Sequence, residues 1–338
     1  MKTLTIIGNG FDLGHSIPTQ FDSFIFSNPE VYPIKYNVFS TEEVSWNSDE
    51  AKFESHLRET MNKRSWQDVT EEVDRILGDY GLNEYGEVDF YGYSFEGYDE
   101  ELDKIANFVV LLGEFEKDFS SYLGDTCNDD FLKTIAPKKA ISKILKKSDC
   151  VITFNYTHTA EVLYGVKGAI HIHGDINDNI AIGSGALEDA KNSTIDYEYP
   201  TRKNFSPDKH GLVEMMRFYT EDMDGHLVED HFIRRFFDEV SVRAEEKENE
   251  LFDLLDVKNK DSLAERRDTI ELLKSIHFDR VYIIGHSLND ADLAVLDAIN
   301  RDAFVTYFYH KGEYVKREQT LKRLGFHFEM VSDEHIYH

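Results

Sequence analysis

The chain has 338 residues, 41% of them hydrophobic and 13% aromatic, with a formal net charge of −28. That is the make-up of a globular protein with a sizeable core, and so acidic a surface disfavours non-specific binding to nucleic acid or to an anionic membrane. Its two cysteines, Cys127 and Cys150, leave no four-cysteine zinc site and no disulfide framework, and no apolar run reaches the length of about 18 that a membrane span needs, so a cytoplasmic protein is expected.

Thr3–Ile7 is a short apolar, β-branched run that predicts a buried strand, and Gly8-Asn9-Gly10 turns it into a helix-compatible pattern running through Phe21 and Phe24. Pro18 is placed to open a helix, because its missing N–H costs nothing in a first turn. Helices are predicted near Glu50–Met61 and Trp66–Leu77, then a loop-like acidic and aromatic insertion over Asp79–Asp103 that reads as a solvated, partly packed surface loop, with a protein-binding or oligomerising segment as the alternative. Leu102–Leu123 has the spacing of an amphipathic helix, and a shorter helix is predicted around Pro137–Lys146.

Cys150–Phe154 and Ala169–His173 predict two further strands separated by a short helix, and Ile180–Gly183 a fourth. Asp208–Ser275 has the composition of long charged helices. The end of the chain returns to alternation: strand Arg280–Ile284, turn Gly285–Asn289, helix Asp290–Ile299, strand Phe304–Tyr309, helix Tyr314–Leu324 and strand His327–Val331. Such alternation predicts a parallel sheet.

Four chemistry-bearing stretches fall where strands end: Gly8–Asp12, Asn155–His158, His171–Asp175 and Gly285–Asp292. Open α/β sheets bind ligands outside the carboxyl ends of their strands, so these four can share one crevice. Strand, glycine turn and helix make a phosphate cradle, although a full dinucleotide pattern would place its third glycine at Leu13. His171 and His173 are two apart on a predicted strand and share a face if it is regular; with Asp175 they resemble the start of a metal-binding sequence. Gly285-His-Ser-Leu-Asn289 resembles a nucleophile elbow, but Asn289 is too large for its fifth position. Ser287 reads better as a phosphate donor, and Asp290 and Asp292 as carboxylates that offset a helix dipole.

Together, Ile6-Ile-Gly-Asn-Gly-Phe-Asp-Leu13, Ile17-Pro-Thr19, Thr153-Phe-Asn-Tyr-Thr157, His171-Ile-His-Gly174 and Tyr282-Ile-Ile-Gly-His-Ser-Leu288 resemble the bacteriophage abortive infection AbiH family. More remotely they are similar to the SIR2-like NAD-binding fold. That resemblance implies a Rossmann-like, mostly parallel α/β sheet flanked by helices. It matches Asn155 to the asparagine that positions the ribose and His173-Gly174 to the catalytic His-Gly. It also places Gly8, Asn9, Gly10, Phe11, Asp12, Pro18, Thr19, Gly285, His286, Ser287, Leu288 and Asp290 around the nucleotide. Asn9 stands for the usual Ala and Thr157 for the usual Asp, and the sirtuin zinc module is absent, so protein deacetylation is not carried over.

One elaborated domain is expected, with core segments of about 1–27, 149–185 and 279–338 and helical insertions at about 28–148 and 186–278. The resemblance implies a phage-defence effector that binds NAD+ as substrate or ligand and hydrolyses its nicotinamide–ribose bond, with no metal. Its candidate partners are the nucleotide, a second copy of the chain and a phage-derived trigger. The alternatives are a nucleotide sensor without turnover, or a metal-dependent nuclease using His171, His173 and Asp175.

Overall fold

A computed structural model describes residues 1–40, 57–79, 95–177, 180, 182, 262–289 and 292–337. The chain divides into two compact units, one of Met1–Ile76, Val110–Ala186 and Lys258–His338, the other of Leu77–Val109 and Leu187–Val257. The sheet and the candidate site belong to the first. Among the described residues, no helix is long and apolar enough to cross a membrane.

The first unit is built on six parallel strands: β1 (Thr3–Ile7), β2 (Cys150–Thr153), β3 (Ile170–His171), β4 (Arg280–Ile284), β5 (Phe304–Tyr309) and β6 (His327–Ser332), in the order β3-β2-β1-β4-β5-β6. All five residues of β1 are buried, as befits a central strand covered on both faces. The period of two sorts its side chains. Leu4 and Ile6 join Ile152, Val281, Ile283, Val305 and Tyr307 on one face, and Ile7 joins Val151, Ile284 and Phe308 on the other. Helices Ser262–Ser275, Leu293–Asp297 and Tyr314–Arg323 cover the first face through Leu273, Leu296 and Leu321. Helix Lys139–Leu145 covers the second through Ile141 and Leu145. Truncating a fully buried Ile6 to Ala would cost about 2–5 kcal/mol, because the cavity it leaves is lined by neighbouring strands.

This arrangement is the expected Rossmann-like sheet. From β1 the chain runs to β2 on one side, and from β4 to β5 on the other, so the direction of travel reverses between β1 and β4. Their register, Ile7 opposite Ile284, brings Gly8 and Gly285 side by side at that reversal.

Several sequence expectations differ in detail. Only Ile170–His171 of Ala169–His173 pairs as a strand, and Ile172 and His173 turn away. Ile180 and Ile182 are buried but belong to no strand; the Ile182 N–H is instead held by Glu116 at 2.9 Å. The region expected to be loop-like gives way to helix at Phe95, which continues to Thr126. The pattern through Phe21 breaks into two helices, Asn9–Leu13 and Phe21–Ile25, around Pro18. The helix expected at Asp290 begins at Leu293. The charged segment up to residue 261 lies outside the described residues, and Ser262–Ser275 is helical.

Beside the sheet, Phe21, Phe24, Tyr36, Phe39, Phe115 and Phe119 form a cluster of fully buried rings. Their centroids approach to 4.7 Å for Phe39–Phe115 and 4.8 Å for Tyr36–Phe115, with Trp66 4.4 Å from Phe119. The Tyr36 hydroxyl finds its partner in Asp118 at 2.6 Å. Trp66 and Phe119 are where this aromatic body meets the site.

Candidate functional site

At the reversal point lies a cavity of about 700 Å³. Its lining includes Gly8, Asn9, Gly10, Asp12, Thr19, Asn155, His173, Gly285, His286 and Ser287, so these candidate residues share one space. Trp66, Phe119, Phe154 and Tyr156 supply its aromatic wall. Phe11 and Leu288 instead turn into the core, and Pro18 stands behind the wall with its carbonyl held by the Tyr122 hydroxyl at 2.8 Å. Asp290 lies outside the described residues.

The glycine turns that were expected to cradle a phosphate also join β1 and β4 through their backbones. The Gly8 N–H donates to the Ile284 carbonyl at 3.0 Å, Gly10 N–H to Gly285 at 2.8 Å and Phe11 N–H to Gly8 at 2.8 Å. These amides are therefore already engaged. A Cβ on Gly10 would sit 2.8 Å from Gly285 Cα, and one on Gly285, whose φ is +67°, 2.2 Å from the Phe11 nitrogen. The glycines let two strand ends meet backbone to backbone. Asn9, the residue that departs from the SIR2-like pattern, accepts the Thr19 hydroxyl at 2.6 Å and so ties the first turn to the Ile17–Thr19 stretch. Trp66 Nε1–H donates to the Thr19 carbonyl at 2.6 Å.

Asp292 organises the polar centre. It is the N-cap residue of its helix, yet its side chain makes no capping bond. It turns instead to two imidazoles, with Oδ1 3.2 Å from His173 Nε2 and Oδ2 3.2 Å from His286 Nε2. Burial alone would raise this carboxyl, but the two imidazoles hold it well below the usual carboxylate range. An ionised Asp292 accepts, so His173 donates from Nε2 and keeps Nδ1 as its basic nitrogen. For His286 the tautomer is set from the other side: the Leu288 N–H donates to Nδ1 at 2.9 Å, which leaves the proton on Nε2, close to Asp292 but outside hydrogen-bonding alignment. Leu288 achieves this with a positive φ of 52°, a strained conformation for a leucine, and the His286 carbonyl is pinned by the Tyr307 hydroxyl at 2.7 Å.

Asp12 is fully buried, and that burial pushes its carboxyl up to about 6. Its Oδ2 accepts the Thr157 hydroxyl at 2.6 Å, which in turn accepts from Thr159 at 2.9 Å; Oδ1 has no partner. Asn155 lies near enough to favour the charged form slightly, without a hydrogen bond of normal geometry. Both amide atoms of Asn155 are buried and unpaired. Three orphaned polar atoms lining one cavity are groups poised for a ligand, since a buried polar atom left alone costs about 1–3 kcal/mol.

Arg317, which sequence reasoning did not single out, opens into the same cavity from helix Tyr314–Arg323. It is buried, donates to the Ser287 carbonyl and pairs with Glu313 at 2.7 Å, while Nε has no partner. In the sequence it stands next to Lys316 inside the predicted helix Tyr314–Leu324, where a basic residue reads as part of a solvated face.

His171 and His173 diverge. His171 contacts the Asn155 carbonyl through Nδ1 at 2.9 Å and Glu161 through Nε2 at 3.0 Å, and it joins His158 and Asp175 rather than His173. The nuclease grouping of His171, His173 and Asp175 is therefore not formed, because β3 ends at His171 and its alternation does not continue.

Compared with known families, the chain matches the model described as Bacteriophage abortive infection AbiH over residues 4–309. Neither the curated proteins nor the solved structures contain a match to the chain.

Proposed function

The chain belongs to the bacteriophage abortive infection AbiH family, and from that premise and the cavity's geometry we propose a phage-defence effector that binds NAD+ and hydrolyses its nicotinamide–ribose bond. The observation that carries this reading is the placement of His173, oriented by Asp292, in one cavity with the unpaired Asn155 amide and Asp12 Oδ1, at the reversal point of a parallel sheet. Ligands of open α/β sheets occupy that crevice.

The chemistry follows from the tautomer. As the ribose C1′–nitrogen bond breaks, its electron pair leaves with neutral nicotinamide and positive charge develops on the sugar. Water adds at C1′ and gives its proton to His173 Nδ1, while Nε2–H stays on Asp292. The products are nicotinamide, ADP-ribose and a proton. Asn155 orients a ribose hydroxyl or the water, and Asp12 Oδ1 accepts a hydroxyl. With the Gly8, Gly10 and Phe11 amides already bonded, the pyrophosphate falls to the Ser287 hydroxyl and to Arg317, whose fixed guanidinium suits a phosphate oxygen. Trp66, Phe119 and Phe154 exclude bulk water from the reacting carbon.

Incubation of the purified chain with NAD+, followed by chromatography, tests the proposal: nicotinamide and ADP-ribose should appear in equal amounts. Intact NAD+ bound to the protein without either product would replace hydrolysis with sensing.

A further inference from the structure

Behind the cavity wall, His158, His171 and Asp175 each offer one ligand atom, all within 4.8 Å of one another, and the proposed hydrolysis uses none of them. We propose that these three residues bind a divalent transition metal, Zn2+ by preference, in a structural site that holds the Asn155–His158 segment.

The argument begins with protons. A carbonyl oxygen can only accept, so His171 Nδ1, 2.9 Å from the Asn155 carbonyl, carries the hydrogen. Its Nε2 faces Glu161 Oε1 at 3.0 Å, a contact that calls for positive charge on the ring or beside it. His158 repeats the pattern, with Nε2 3.3 Å from Asp175 Oδ2 and Nδ1 3.5 Å from Asp129 Oδ1. A neutral imidazole has one N–H, so one of its nitrogens also faces a carboxylate as an acceptor. Glu161 Oε2 is buried with no partner. Among the described residues no lysine or arginine pairs with Asp129, Glu161 or Asp175. A cation among His158, His171 and Asp175 supplies positive charge where these imidazoles and carboxylates converge.

The donor set points to the class of cation. Two imidazole nitrogens and a carboxylate oxygen suit Zn2+ and its neighbours rather than Mg2+ or Ca2+, which prefer oxygen alone. The Nδ1–H bond from His171 to a backbone carbonyl is the outer contact that fixes a ligating histidine's tautomer. With bonds of about 2.0–2.2 Å, tetrahedral ligand atoms lie about 3.3–3.6 Å apart, so binding needs the widest pair to close by up to about 1.5 Å.

The site's place in the fold gives its role. Asn155 and Thr157 line the cavity, while the Asn155 carbonyl and His158, on the same segment, face the metal cluster. The metal therefore acts on the cavity by positioning this wall. It does not touch the reacting atoms, and it stands apart from the expectation of no metal and from the His171–His173–Asp175 grouping.

The test is a Zn2+ titration of the full chain, purified without a metal-affinity step and stripped with chelator, against a chromophoric competitor. One Zn2+ per chain, a submicromolar Kd and a raised melting temperature are expected. His171→Gln and Asp175→Asn should each weaken binding at least tenfold and abolish the thermal shift, and His173→Ala should leave Zn2+ affinity unchanged. Parental protein that takes up no stoichiometric Zn2+ at micromolar concentration overturns the site, as does uptake that survives both ligand substitutions. The parental stoichiometry decides the matter even if a variant fails to fold.

Discussion

The Gly10 N–H donates to the Gly285 carbonyl at 2.8 Å, joining the two turns that end β1 and β4 through their backbones. Both glycines therefore act in the fold before any ligand arrives. Gly10→Ala should cost about 1–3 kcal/mol, the usual penalty for overpacking. Gly285→Ala should cost more, since its φ of +67° adds about 1–2 kcal/mol of left-handed strain to a 2.2 Å approach. Urea unfolding without nucleotide reads both, and unchanged midpoints would show that the turns have room.

Asp292 holds His173 and His286 from one carboxylate. Asp292→Asn keeps the shape but offers an amide N–H where His173 needs an acceptor, and it removes the charge that orients the base. Turnover should fall by about 10²-fold or more with little change in KM, in line with the value of positioned general-base catalysis. A variant with parental kcat would separate Asp292 from the chemistry.

Asp12 gives the fold a pH dependence of known sign. Its folded-state pKa, pushed up to about 6 by burial, exceeds the ordinary 3.8, so the folded protein binds this proton more tightly than the unfolded chain. The stability it contributes is present in full below the unfolded pKa and is lost as pH rises through the folded one. The loss is on the order of 2–3 kcal/mol by linkage, with a shift of about two units. Asp12→Asn should therefore be more stable than the parent at pH 8 and closely matched to it at pH 4. Denaturation curves that run parallel for the two proteins across this range would refute the assignment.

Trp66 braces the cavity from outside the sheet, donating to the Thr19 carbonyl at 2.6 Å while its ring rests 4.4 Å from Phe119. Trp66→Phe retains much of the ring contact and loses the bond, so Thr19 and its partner Asn9 loosen. NAD+ affinity should weaken about fivefold, equivalent to about 1 kcal/mol. Calorimetric titration measures it, and unaltered affinity would mean that this brace does not shape the site.

Much of this was legible in the sequence, and the failures have physical causes. β1, β4 and β5 were readable because buried parallel strands are continuous β-branched and aromatic runs with glycine or charge at their ends. The gathering of Gly8–Asp12, Asn155, His173 and Gly285–Ser287 followed from the rule that such sheets bind at their carboxyl ends. The two-residue strand Ile170–His171 was overread because sequence alternation continues past the last paired residue, and that misplaced His173 beside His171. Asp292 read as a helix-capping acid since position alone cannot show that its side chain turns to two imidazoles 119 and 6 residues away. Arg317 was missed for a related reason: its i,i+4 pairing with Glu313 reads as an ordinary surface ion pair, and its contact with the Ser287 carbonyl, thirty residues away, is encoded by no local pattern.

The central claim is that the cavity between β1 and β4 hydrolyses NAD+ through His173. Its most direct test follows nicotinamide release from NAD+ by the parental chain and by His173→Ala side by side, with circular dichroism showing both folded and calorimetry reporting binding. The account predicts turnover by the parent, loss of turnover in the variant and retained NAD+ binding in both. Equal rates of release from the two proteins, or a parent that neither binds nor cleaves NAD+, would contradict it.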